Sequence, residues 1–236
     1  MVGWLLLPTT GHPPEAYHRS ECKNNLKNLG LALHNYHDMY QTFPPAIVRD
    51  KSGRPHLSWR TLLFPFVEQS AWFGKYKLDE PWDSPHNKTL LPGNVELFRC
   101  PSNRTGIGKP TTNYVAVIGP NTAWRSDGTV VSARDFTDGM SNTILLVETK
   151  EAGIHIFEPR DLSLDQMTLT INSPVGHGLS SDLRLNTESL GVHVLMADGT
   201  VRWLPNDVPP EVIHAMLTIN GGERVIEDDH GWRLER

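Results

Sequence analysis

Between Leu78 and Asn87 the chain places Asp79, Glu80, Asp83, His86 and Asn87 around Pro81, Trp82 and Pro85. Oxygen-rich loops of this composition suit Ca²⁺, which takes six to eight oxygen ligands at flexible distances. Asp79 and Asp83 are the carboxylates expected to hold such an ion. The alternative is that Asp and Asn beside proline cap turns by accepting from backbone N–H groups. A second oxygen cluster, Asp138, Ser141 and Asn142 around Gly139, reads as a Ca²⁺ loop or as a tight turn entering a strand at Thr143. His34 and His37 are spaced to approach each other on a helix surface, with Asp38 beside them. Zinc would need further ligands that no spacing supplies, so polar packing is the competing reading.

For ligand recognition the candidates are the aromatic rings of Trp72, Trp82 and Trp124, which would stack on a carbohydrate or small solute. Trp82, held between two prolines, also reads as a core anchor for its turn. Cys22 and Cys100 are either a disulfide formed in an oxidising compartment or two buried thiols. A bridge would close a loop for which the chain-entropy model gives roughly 4–5 kcal/mol. Catalytic signatures are missing: there is no Gly-x-Ser-x-Gly elbow, phosphate-binding glycine loop, His-Glu-x-x-His helix or cysteine with a placed base. Nothing singles out a carboxylate pair for glycoside hydrolysis. The chain is expected not to be an enzyme.

Positioning these residues takes a chain of 236 residues, a length that suits one elaborated domain. With 18 Pro and 19 Gly it reads as loop-rich, which argues against a helical bundle. A net charge of −5, with basic residues dispersed, argues against a nucleic-acid partner. The run Trp4 to Leu7 is cut by Pro8, far short of the roughly 20 residues that span a bilayer, and it lacks the features of a signal peptide.

Apolar residues at Leu26, Leu29, Leu33, Tyr36 and Tyr40 fall on one face of a helix from Glu21 to Tyr40, ended by Phe43-Pro44-Pro45. A second amphipathic segment runs from Ser58, a possible N-cap, to Tyr76, with Pro65 interrupting it. Strands are expected at Asn113–Ile118 and Thr143–Glu148, and a hairpin at Val192–Leu204 around Asp198-Gly199. Glu211 to Leu217 reads as a closing helix behind Pro209-Pro210. Residues 151–190 read as an irregular insertion with some strand, and the tail after Arg224 as charged and loose.

The order of motifs resembles one bacterial family, the domain of unknown function 1559. The matching pieces include Cys22-Lys-Asn-Asn-Leu-Lys27, Phe43-Pro-Pro-Ala46, Leu57-Ser-Trp-Arg60, the turn at 78–87, Cys100-Pro-Ser102, Asp138-Gly-Met-Ser-Asn-Thr143 and Ala197-Asp-Gly-Thr-Val201. The resemblance implies an α+β, pilin-like fold in which an N-terminal helix packs on an antiparallel sheet with long loops. It also implies a structural role beside other pilin-like subunits or envelope proteins. The turn is similar to one in type II secretion major pseudopilins, which hold a Ca²⁺ near their sheet. The family is also catalogued as solute-binding, which makes an exported carbohydrate- or solute-binding module the alternative. Two departures stand out. The prepilin cleavage sequence and its long apolar helix are missing, which leaves residues 1–20 as a remnant or truncated anchor, 21–226 as the domain and 227–236 as a charged tail. Glu188 stands where many relatives carry a His ten positions before Asp198. In the pilin-like reading, Leu26, Leu29 and Leu33, or surfaces beside them, serve assembly in the cell envelope, on its periplasmic or extracellular side.

Overall fold

A computed structural model describes residues 15–67, 73–90, 95–103, 109–150, 152–182, 184–185, 188–229 and 231–235. Trp72 and the Leu5 to Pro8 run lie outside the described residues. Helix α1 spans Glu15–Tyr40, so residues 15–20 continue the helix expected to start at Glu21. Cys22, Leu26, Leu29, Ala32 and Leu33 are buried along it, the three- and four-residue spacing that keeps one helical face inward. Each fully buried leucine contributes roughly 1.5–3 kcal/mol before conformational entropy is subtracted. The helix stops where Gln41 turns to a φ of 63°, its N–H bonded to the His37 carbonyl at 2.6 Å. Phe43-Pro44-Pro45 follows and cannot rebuild the ladder.

Strands β1 (Ile47–Arg49) and β2 (Pro55–Ser58) form a short antiparallel pair. Of the segment expected from Ser58 to Tyr76, the residues described up to Val67 form α2 (Trp59–Leu63) and a 3₁₀ turn at Phe64–Phe66, while 68–72 lie outside the described residues. Ser58 is its N-cap, accepting from the Thr61 N–H, and Pro65 sits where the α-helix has already given way. Helix α3 (Pro85–Thr89) is one turn, capped by the Ser84 hydroxyl.

The expected strand at 113–118 divides into β3 (Tyr114–Val115) and β4 (Val117–Ile118), which belong to different sheets. The break falls at Ala116, whose N–H donates to the Asp161 carboxylate at 2.8 Å. Strand β5 is Ile144–Glu148, β6 (Leu162–Ser163) runs parallel to β4, and β7 (Arg184–Leu185) pairs with β8 (Glu188–Ser189). Then come β9 (Gly191–Met196) and β10 (Val201–Pro205), joined through Asp198-Gly199 as the sequence suggests. Gly199 takes a φ of +85°, and Asp198 accepts from the Thr200 N–H and hydroxyl.

The main sheet has the order β10-β9-β5-β3, all neighbours antiparallel. Every residue of β5 and β9 is buried, because the sheet is covered on both faces. Leu195 and Ala197 join the core beneath α1, whereas Val192, Val194 and Met196 join the core of α4 (Pro210–Leu217). Gly30 brings α1 down onto β9: a Cβ there would lie 2.8 Å from the Leu195 Cδ1. The tail after Arg224 is not loose. It forms a hairpin of β11 (Arg224–Asp228) and β12 (Gly231–Glu235), and Val225, Trp232 and Leu234 pack against the α4 core. Apolar residues alternate there with charged ones, a period-2 pattern that the charge count conceals.

Candidate functional site

One transverse row of side chains crosses the α1-facing side of the sheet. Tyr114 on β3 pairs in register with Glu148 on β5, and His193 on β9 pairs with Trp203 on β10. Glu148 and His193 lie one step along from the Val147–Val194 pair, opposite each other. All four side chains therefore share a line under the start of α1. The Tyr114 hydroxyl donates to the Cys22 carbonyl at 3.2 Å, and Arg19 stacks 4.0 Å above the Trp203 ring.

Glu148 is only 1% exposed and His193 3%, so together with buried Tyr114 the row holds three buried ionisable groups. A Glu148 oxygen accepts from the Ser181 hydroxyl at 3.3 Å, and the His193 Nδ1 lies 3.7 Å from the other without a hydrogen-bond partner. Burial, reinforced by the Glu148 charge, pushes the Tyr114 phenol well above its ordinary range, so it remains a neutral donor. A pocket of about 290 Å³, lined by Arg19, Ser20, Lys23, His193, Val201 and Trp203, opens above the row. The sequence signal was Glu148 itself, a carboxylate closing the apolar run Ile144-Leu-Leu-Val147, which strand alternation does not place in solvent.

Beside the row, Cys22 and Cys100 form the disulfide, pinning the first buried turn of α1 to the segment that precedes β3. Their sulfurs and a Glu148 oxygen lie within 4.8 Å of one another, the one such grouping of three His, Cys, Asp or Glu side chains among the described residues. With both sulfurs in the disulfide, the grouping is not a thiolate metal site. Asp79, Glu80, Asp83 and His86 do not converge in this way. Asp79 and Asp83 are exposed, and the turn is organised instead by buried Asn87. Its amide donates to the carbonyls of Lys77, Glu80 and Pro81 and accepts from the Lys77 N–H.

The oxygens of Asp138 accept from the Gly221 and Gly222 N–H groups, at 2.6 and 3.0 Å, and the Asn142 amide donates to the Asp138 carbonyl. Ser141 lies in the same turn, so the cluster ties the entry of β5 to the loop after α4. Trp82 is half-buried against His155. Trp124 corrects the expectation of an exposed ring: it is 1% exposed, tilted against Trp59, and its indole N–H donates to the Leu145 carbonyl at 2.7 Å. A buried ring with a satisfied donor has no face for a sugar. His34 and His37 do not form a metal pair: the His37 Nε2 accepts from the Ala133 N–H, and His34 packs over Gly199 and Phe43.

A cleft of about 530 Å³ includes Arg125, Asp127, Arg134 and Asp135. Each aspartate is held by its own loop, Asp127 by Thr129 and Asp135 by Ser132, and these bonds lower both carboxyls. Neither guanidinium has a hydrogen bond or close ion pair among the described residues.

The family model described as protein of unknown function (DUF1559), SBP_bac_10, matches residues 15–156. That stretch is more than half of the chain. The chain belongs to the DUF1559 family. No curated protein and no solved structure matches it. Within this DUF1559 chain the matched residues carry α1, both cysteines, the turn at 78–87 and the strands through β5, so the family match includes Tyr114 and Glu148 of the row. His193 and Trp203 lie beyond it. No helix among the described residues is long and apolar enough to cross a membrane.

Proposed function

We propose that this DUF1559 chain is a non-enzymatic, pilin-like structural subunit of the cell envelope, working through contacts between α1 and the helices of other such subunits. The observation that carries this reading is the outward face of α1. Tyr17, Leu31 and Met39 are 54%, 62% and 65% exposed. At about 100° per residue they fall within a sector of roughly 80°. The exposed residues between them on that face include Asn24, Asn28 and Asn35, which carry no charge to desolvate. The expected assembly stripe of Leu26, Leu29 and Leu33 is corrected here, because all three are fully buried in the chain's own core.

The first turns of α1, before Cys22, bury no whole residue, and their contact with the sheet is the stacking of Arg19 on Trp203. The disulfide supports an oxidising compartment, periplasmic or extracellular. Replacing Leu31 and Met39 together by Asp tests the reading: the variant should fold normally and be lost from the filament or envelope fraction of source cells. Wild-type protein that never enters that fraction would end it.

A second reading, an exported binding module for a small solute, is favoured by the cleft with its two guanidinium groups, which make no hydrogen bond among the described residues. Calorimetric titration with D-galacturonate tests it, with binding expected to vanish in the R125A/R134A variant. Trp124 has no part in it, and Trp82, packed against His155, does not line the cleft.

A further inference from the structure

We infer that the pocket where the start of α1 crosses the β9–β10 hairpin binds a small oxyanion of the phosphate monoester class. The inference goes beyond the assembly role and uses different residues. Arg19, Ser20 and Lys23 reach the pocket from α1; His193, Val201 and Trp203 reach it from the sheet. Among these six, His193 is the buried one, 3% exposed, with Nδ1 turned toward Glu148 at 3.7 Å and no partner. Glu148 accepts from the Ser181 hydroxyl and the His193 backbone N–H, so the His193 Nδ1 is the polar atom of the pair left without a hydrogen bond, and such a buried atom is costly.

An anion in the pocket completes the arrangement. Stacking on Trp203 fixes the plane of the Arg19 guanidinium, and its in-plane N–H groups make no hydrogen bond among the described residues. A guanidinium held this way offers a bidentate fork to an oxyanion. Lys23, one turn along the same face, adds a second unpaired cation. For His193 to donate both to Glu148 through Nδ1 and to the anion through Nε2, the ring must carry two protons. Arg19 and Lys23 bring two positive charges to the pocket, which a dianion matches. At about 290 Å³ the pocket has room for a phosphate monoester.

The test is calorimetric titration of the purified chain with inorganic phosphate at low ionic strength, followed by nitrogen-edited NMR of the histidine side chains. Saturable binding should weaken by about tenfold or more in R19A and in K23A, the loss expected for a hydrogen bond to a charged group. The exposed control K51A should bind as wild type. With phosphate bound, the His193 ring should show both nitrogens protonated. Absence of saturable binding overturns the inference, as does equal affinity in R19A and K23A or a His193 ring that stays neutral in the complex. Binding of D-galacturonate in preference to phosphate that is lost in R19A and K23A but kept in R125A/R134A overturns the assignment of ligand class. Arg19 and Lys23 are exposed, so neither test substitution endangers the fold.

Discussion

At the scale of residues, the fold depends on a few buried polar groups whose partners are distant in sequence. Arg60 and Asp161 form an ion pair with both side chains fully buried. Asp161 also accepts from the Trp59 indole and the Ala116 amide, while the Arg60 guanidinium donates to the Tyr114 carbonyl. Burial pushes the Asp161 carboxyl up against the pull of Arg60. Breaking such a pair leaves one charge without compensation, so Asp161→Asn should cost roughly 3–5 kcal/mol in urea unfolding. A cost below about 1 kcal/mol would show that water reaches the pair. Asn87→Leu should cost about 1–3 kcal/mol by leaving the carbonyls of the 78–87 turn and the Lys77 amide unpaired. The turn was legible in sequence, but its organiser was misassigned to carboxylates. Asp79 and Asp83 stand out by charge, whereas an amide that donates to three carbonyls and accepts from one N–H looks, in a string of letters, like any loop residue. Asp161 lies in the stretch read as an irregular insertion, and its partner is 101 positions away.

At the scale of elements, legibility followed periodicity. Helix α1, strand β5, the β9–β10 hairpin and α4 carry strong local patterns and lie close to the expected positions. The segment at 113–118 failed as one strand because a side chain from outside the sheet takes the Ala116 amide, an event invisible to local pattern. The closing hairpin was hidden by charge, since its exposed positions hold most of its Arg, Glu and Asp. Two couplings between elements set the position of α1. Removing the disulfide with C22S/C100S frees a loop of 78 residues and should cost up to about 4–5 kcal/mol, read as a lower thermal midpoint under non-reducing conditions. Gly30→Val places bulk against Leu195 and should cost about 1–3 kcal/mol, with α1 lifted from β9 and the near-ultraviolet dichroism altered. A thermal midpoint unchanged in either variant would mean that α1 is not held against the sheet as described.

At the scale of the whole molecule, two helices cover opposite faces of one antiparallel sheet, and the two uses of α1 are separate in space. Its inner face is spent on the core and on the row from Tyr114 to Trp203, and its outer face presents Tyr17, Leu31 and Met39 to solvent. The sequence showed the inner stripe because leucines at helical spacing are conspicuous. It concealed the outer one because three apolar residues among asparagines read as an ordinary solvated face. The most direct measurement is photo-crosslinking from a benzoylphenylalanine placed at position 31, carried out in source cells at native expression. The account predicts crosslinks to other copies of this chain or to a subunit of the same helical build, recovered in the envelope fraction and absent when the probe replaces Lys51. A protein that stays uncrosslinked at position 31 while intact and present in the envelope would contradict it.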